Sequence, residues 1–301
     1  MSIEIPQLEA VAQIIDAQSF EKAAERLCIT QSAISQRLRQ LETQLGQRLI
    51  IRSSPPTLTD AGVKILKYYR QVSHLQEDLL SNLAGNGDDG EASIAIGSNA
   101  DSLATWLLDA LMPLLNNGKT FVEIHVDDQD RTHDLLRDGT VVGCISASAA
   151  PIQGCNCIPL GVMTYRCLVS PDYKQRYFPK GVNKESLLAA PCVEFNHKDD
   201  LQREYLAHYF GAGYPQTRHR VPSTESFLEF IARGFAWGMV PDVQSKQWLK
   251  EKKVIELIPG NTLDIPLYWH IWNLRTTLSR TLTEALRTEA AKVLLPIPSH
   301  M

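Results

Sequence analysis

The sequence predicts an α/β chain in which an N-terminal winged helix-turn-helix is followed by a long helix and then by two α/β lobes around a cleft. Three observations predict it. The 301 residues, 44% hydrophobic and 21% charged, form a globular mixture long enough for two or three cores. Three short segments near the N-terminus carry apolar residues at helical spacing. Beyond a glycine-rich stretch at 85–90, short apolar strand candidates alternate with helices.

The first helix covers residues 8–17, where Leu8, Val11, Ala12, Ile14 and Ile15 recur at helical spacing and Pro6 suits the entry. Ser19 caps a second helix over 20–27 with Phe20, Ala23, Ala24 and Leu27 inward. Cys28-Ile29-Thr30 is a turn. Thr30 caps a third helix over 31–45 that buries Ala33, Ile34, Leu38, Leu41 and Leu45, and Gly46 stops it. Two short helices joined by a three-residue turn, with small Ala23 and Ala24 at the crossing, have the shape of a helix-turn-helix. Residues 48–52 and Thr57-Leu58 read as the two strands of a wing around a turn at 53–56.

A long helix from 59 to about 83 follows, with Ile65, Tyr69, Val72, Leu79 and Leu83 near an a/d seam that Gln76 interrupts. It is the expected dimerisation helix. Residues 85–90, Gly-Asn-Gly-Asp-Asp-Gly, form a flexible linker. The expected divisions are 1–60, 61–90 and 91–301. In the last of these, strands at 93–97, 121–126 and 141–147 alternate with helices at 102–115 and 132–137. A second set has strands at 166–170, 192–195, 218–221 and 237–241 with helices at 199–209 and 225–232, and the close is 254–258, 267–272 and a helix over 278–295. This alternation predicts a mostly parallel sheet, with ligands outside the carboxyl ends of its strands.

The net charge of −4 is unevenly spread: residues 19–52 hold six Lys or Arg against three Glu, whereas everything after Arg70 holds 21 basic and 27 acidic side chains. Attraction for phosphate is therefore confined to the N-terminal segment. No apolar run is long enough to span a bilayer and the start lacks a signal-peptide pattern, so a membrane location and export are not expected. Six scattered cysteines fit reduced thiols in a cytoplasm. Cys155-Asn156-Cys157 has no second ligand pair, His125 and His133 stand apart, and no GxSxG, Walker or GxGxxG stretch occurs. Neither a metal, a cofactor nor an enzymatic activity is expected.

On the third helix, Gln31, Ser32, Ser35, Gln36 and Arg39 lie away from the apolar stripe. Thr30, Ser32, Arg37 and Arg52 are candidate phosphate contacts, and Gln31, Ser35, Gln36 and Arg39 candidate base readers, because Gln pairs with adenine and Arg with guanine at two points.

These residues resemble the LysR-type transcriptional regulators: Ser19-Phe20-x-x-Ala23-Ala24-x-x-Leu27-x-x-Thr30-Gln31-Ser32-Ala33-x-Ser35, then Leu41-Glu42-x-x-x-Gly46 and Leu58-Thr59-x-x-Gly62. The resemblance covers nearly the whole chain. It implies a periplasmic-binding-protein-like effector domain whose last strand and helix return to the first lobe: lobe I at about 91–160 and 266–301, lobe II at about 161–265. A narrower resemblance, to the ArgP branch of arginine and lysine transport regulators also described as inhibitors of chromosome initiation, rests on residues 27–33, 99–108 and Leu267-Tyr268-Trp269-His270. It implies a basic amino acid as effector, amino-acid transport or metabolism genes as targets, and double-stranded DNA, further copies of the chain as dimer or tetramer, and RNA polymerase as partners. The alternatives are a regulator of this type with another small effector, or an architectural DNA-binding protein without one.

A bound amino acid needs its carboxylate and its cationic groups satisfied once water is displaced. Ser98, Asn99, Asp101 and Ser102, at the first strand-to-helix junction, suit a carboxylate. Asp127, Asp128 and Asp130 cluster after the second strand and suit an ammonium or guanidinium. Ser146 and Ser148 end the third strand, and Glu194, His197, Thr224 and Glu225 hold matching loop positions in the other lobe.

Overall fold

A computed structural model of the chain describes residues 3–84, 92–116, 118–126, 129–211 and 213–298; the linker expected at 85–90 lies outside them. Three helices, Ile5–Asp16, Phe20–Arg26 and Gln31–Leu45, enclose Leu8, Val11, Ile14, Ala23, Ile34, Leu38 and Leu41. Their caps are those the sequence implies. Ser19 Oγ accepts from Lys22 N at 3.4 Å and Thr30 Oγ1 from Ala33 N at 3.2 Å, while Gly46 ends the third helix at φ 67°, where a Cβ is unfavourable.

The wing is shorter than expected, with Ile50–Ile51 antiparallel to Thr57–Leu58. Glu42 Oε1 fastens it to the third helix by accepting from Leu49 N at 2.8 Å and Ile50 N at 3.4 Å. Thr59 Oγ1 donates to Arg48 O at 2.7 Å and accepts from Gly62 N at 3.1 Å. A Cβ at Gly62 would stand 2.1 Å from the Leu49 carbonyl oxygen, so only glycine lets the next helix come this close.

That helix, Asp60–Ala84, departs from the expected seam. Ile65 and Tyr69 pack on the core of the N-terminal domain, because the first half of the helix lies against it, and the exposed apolar side chains are Tyr68, Leu75, Leu79, Leu80 and Leu83. Its other side is tied to the first lobe. Arg70 reaches both ways, with NH2 2.8 Å from Asp16 Oδ1 and NH1 3.3 Å from Thr140 Oγ1. Buried His74 places Nε2 2.9 Å from Thr276 Oγ1 and 3.0 Å from Ser279 Oγ, and Asp78 Oδ1 accepts from Thr277 N at 2.8 Å.

One seven-stranded sheet runs through both lobes in the order Ile255–Glu256, Cys155–Val169, Thr262–Trp272, Gly143–Ser146, Ala92–Ser98, Thr120–Val126, with Gly238–Pro241 also paired to Cys155–Val169. The expectation of a mostly parallel sheet is corrected. Within it the parallel pairings among the described residues are those of Ala92–Ser98 with Thr120–Val126 and with Gly143–Ser146, and every pairing made by Cys155–Val169 and Thr262–Trp272 is antiparallel. Helical crossovers build the first lobe, but these two strands carry the chain out of it and back, side by side in opposite directions. Their register shifts between Leu267 and Tyr268. A separate parallel pair, Cys192–Glu194 with Arg218–Arg220, completes the second lobe. Helices Pro171–Tyr177, Lys184–Ala189 and Asp242–Lys250 were not expected from the sequence.

In the first lobe Ala100–Ser102, a π-turn at Leu103–Leu107 and Leu108–Leu115 make one continuous helical run. Helix Thr277–Val293 returns to this lobe and buries Leu282, Leu286 and Ala290 in the same core as Trp106, Leu107 and Leu111.

Candidate functional site

The N-terminal domain presents one polar face. Thr30, Gln31, Ser32, Gln36, Arg39 and Arg52 are exposed, and Ser35 and Arg37 are half-buried. The Thr30 hydroxyl is already committed to the helix cap and lies 2.9 Å from Ser32 Oγ. Arg52, on the wing, stands over the Phe20 ring with its guanidinium carbon 5.4 Å from the centroid. Gln36 and Arg39 lie on the side of the helix away from buried Ile34, Leu38 and Leu41, Ser35 flanks that side, and Gln31 opens the first turn. A helix held this way offers its first two turns to a major groove, with the wing beside it.

Between the lobes lies a cleft of about 620 Å³. Asn99, Ala100 and Asp101 enter it from the first lobe, Phe195, Asn196 and Lys198–Leu201 from the second, and Tyr165, Ile265 and Pro266 from the two strands that join the lobes. Glu204, Thr224, Phe227, Met239 and Gln244 complete the second-lobe wall. Among the described residues its charged lining is four carboxylates, Asp101, Asp199, Asp200 and Glu204, with one ammonium, Lys198.

The carboxylates differ in support. Tyr165 OH donates to Asp101 Oδ2 at 2.6 Å. Burial nevertheless pushes the Asp101 carboxyl from 3.8 up to about 6, and the charge on Asp199 adds to the rise. Asp199 is also raised by burial, but it accepts from Phe195 N at 2.7 Å, Leu201 N at 3.2 Å and Gln202 Nε2 at 3.4 Å, all of which favour the charged form. Asp200 pairs with Arg203, and Glu204 is raised by burial. The Asn99 Oδ1 atom is buried, and among the described residues no donor reaches it.

Of the candidate ligand contacts read from sequence, the structure brings Asn99, Asp101 and Thr224 to this cleft. Ser98, Ser102 and Ser146 are buried beneath the strand ends; Ser98 Oγ donates to Asn99 O and Ser146 Oγ accepts from Ser148 N. Ser148, His197 and Glu225 are exposed away from the lining, Ser148 holding His270 Nε2 at 2.7 Å through its carbonyl and Glu225 accepting from Ser223 Oγ at 3.2 Å. Glu194, 2% exposed, instead faces Arg218 and Arg220 of the neighbouring strand, each at 3.5 Å. Asp127 and Asp128 lie outside the described residues, as does the side chain of Asp130. Sequence reading passed over Tyr165, Asp199, Asp200 and Glu204. The Asp pair ahead of helix Leu201–Phe210 was a readable N-terminal signal, whereas Tyr165 sits in the strand Pro159 and Gly161 disguise.

Residues 5–63 match the bacterial regulatory helix-turn-helix family of LysR type, and residues 86–292 match the LysR substrate-binding domain. The chain belongs to the LysR family of transcriptional regulators. The narrower likeness to the ArgP branch also holds. A regulator named ArgP from Photobacterium profundum is 41% identical over 95% of this LysR-type chain and 96% of its own, and one from Aeromonas salmonicida is 38% identical over 98% and 99%. Among solved structures, ArgP from Mycobacterium tuberculosis superposes with TM-score 0.89 at 32% identity over 97% of this chain and 99% of its own. Full-length LysG from Corynebacterium glutamicum with bound effector Arg gives TM-score 0.80 at 33% identity, over 97% and 100%. Among the described residues of this regulator no three His, Cys, Asp or Glu side chains converge on a metal position, and no helix is long and apolar enough to cross a membrane.

Proposed function

We propose that this LysR-type regulator senses a basic amino acid, lysine or arginine, in the cleft between its lobes and thereby controls genes of amino-acid transport or metabolism. The observation that carries the reading is the charge of the cleft: carboxylates from both lobes line it, so a cation bound between them draws the lobes together. The arginine bound by LysG, a protein alike over the whole chain, supports the same ligand class. Asn99, Asp101, Thr224, Tyr165, Asp199 and Glu204 are the proposed effector contacts. Gln31, Ser35, Gln36 and Arg39 are the proposed base readers, with Thr30, Ser32, Arg37 and Arg52 on phosphates.

The working divisions are a reading head at 1–60, a linking segment at 61–90 and an effector domain at 91–301, with lobe II at about 161–265. The exposed Leu75, Leu79, Leu80 and Leu83 support pairing of two linking helices, and dimers or tetramers of this kind read inverted repeats in the cytoplasm and engage RNA polymerase. A thermal unfolding panel with the twenty amino acids tests the effector. Saturation a hundredfold above Kd stabilises the native state by about 2.7 kcal/mol. A shift with lysine or arginine alone is expected. No shift with either refutes the effector assignment and brings forward an architectural DNA-binding role.

A further inference from the structure

The cleft carries an electrostatic imbalance that its own side chains leave unresolved around Asp101. Asp101 enters at the start of the first-lobe helical run, and among the described residues its one side-chain partner is the Tyr165 hydroxyl, a neutral donor on one of the two joining strands. Across from it stand Asp199, Asp200 and Glu204, on or just before the second-lobe helix Leu201–Phe210. Arg203 occupies Asp200, and three N–H donors on Asp199 oppose the upward push of its burial. Lys198 lies on the same second-lobe wall, and Thr224 and Gln244, from the remaining elements, are neutral. The side chains of 127–131 lie outside the described residues. Among the described groups no cation contacts Asp101, and the buried Asn99 Oδ1 beside it also lacks a donor.

We propose that in mildly acidic solution Asp101 takes up a proton when the cleft is empty and releases it when the cationic effector binds, so that this regulator reads the basic amino acid and acidity at one residue. The inference rests on the basic-amino-acid reading above. Protons balance simply: protonated Asp101 plus a cationic ligand gives ionised Asp101 paired with the ligand and one proton released to solvent. Asp101 is the member of the cluster that changes state, since two backbone N–H donors and Gln202 oppose the effect of burial on Asp199, whereas among the described residues a single hydroxyl does so for Asp101. Burial pushing its carboxyl up to about 6 places the exchange in the mildly acidic range. Protonated, the same carboxyl no longer discriminates a cation from a neutral ligand of the same shape.

Isothermal titration of the full chain with L-arginine, and with its neutral isostere L-citrulline, between pH 5 and 8 in buffers of different ionisation heat tests this. Arginine Kd is expected to rise about tenfold from pH 7.5 to 5, with roughly half a proton released per ligand near pH 6, while citrulline affinity does not weaken. Tyr165→Phe removes the donor that favours the charged carboxyl, so the midpoint of the pH profile moves upward. Arginine binding with no proton release and a flat profile overturns the inference and leaves the effector reading standing. An unmoved midpoint in Tyr165→Phe overturns the assignment to Asp101. No binding of arginine or lysine at any pH overturns both.

Discussion

Replacing Asp101 by Asn keeps an acceptor for the Tyr165 hydroxyl and removes a charge that the empty cleft holds at a cost. A carboxyl that titrates at about 6 in the folded chain and at 3.8 when unfolded loses up to about 3 kcal/mol of stability once ionised, and water in the cleft reduces that figure to about 1 to 3 kcal/mol. Because the folded value is raised, the stability is fully present below about pH 4 and is lost as pH rises through 6. The ligand-free Asn variant is therefore expected to exceed the wild type by about 1 to 3 kcal/mol at pH 8, with roughly half of that advantage gone at pH 5. Urea unfolding followed by tryptophan fluorescence isolates the effect, since all five tryptophans (Trp106, Trp237, Trp248, Trp269 and Trp272) belong to the ligand-binding part. An Asn variant less stable than the wild type at pH 8, or equally stable at both pH values, refutes the placement of Asp101 in a desolvated site.

On the reading head, Gln36→Ala is expected to weaken specific operator binding by about 1 to 3 kcal/mol and leave binding to random DNA nearly unchanged in a gel-shift titration at fixed salt, equal losses on both removing Gln36 from base reading. Gly62→Ala forces a Cβ against the Leu49 carbonyl and is expected to destabilise the head by about 1 to 3 kcal/mol, seen as faster proteolysis around the wing; unchanged protection counts against that close approach. Leu79→Asp combined with Leu83→Asp is expected to lower the assembly state in sedimentation without altering the tryptophan-reported unfolding, and an unchanged sedimentation profile rejects pairing through the linking helix. Leu286→Ala leaves a hole in the first-lobe core and is expected to cost about 2 to 5 kcal/mol by the same fluorescence assay, a value below 1 showing that the last helix is not packed as described.

The reading head was legible residue by residue because its information is local. Caps at Ser19 and Thr30, the stop at Gly46 and the buried stripe of Gln31–Leu45 depend on neighbours a few positions away. What the spacing alone did not reveal was why Glu42 and Gly62 matter: one holds the wing and the other admits the linking helix, and both contacts join one secondary-structure element to another. The sheet directions were misread for the same reason, since a parallel or antiparallel partner is chosen by topology. Pro159, Gly161 and Pro266 interrupt two strands that pairing sustains across them, so alternation was visible only in pieces. In the cleft, Asn99, Asp101 and Thr224 were readable as strand-to-helix junctions, but Tyr165 falls one residue before the piece of its strand expected at 166–170. Glu194 was misplaced, because the sequence does not show that Arg218 and Arg220 lie on the strand next to it.

The first lobe is assembled from both ends of the ligand-binding part: helix Thr277–Val293 seals a core laid down by Trp106, Leu107 and Leu111, and Leu295 bridges to Val162. During synthesis the reading head has all of its helices and its wing once residue 84 has left the ribosome, whereas that core stays open until nearly two hundred further residues have followed. A chain cut short before residue 277 would therefore own a finished head and an unsealed lobe. Such a fragment would compete for operators without answering to the effector, so damage near the end of the message is expected to be dominant over an intact copy rather than silent.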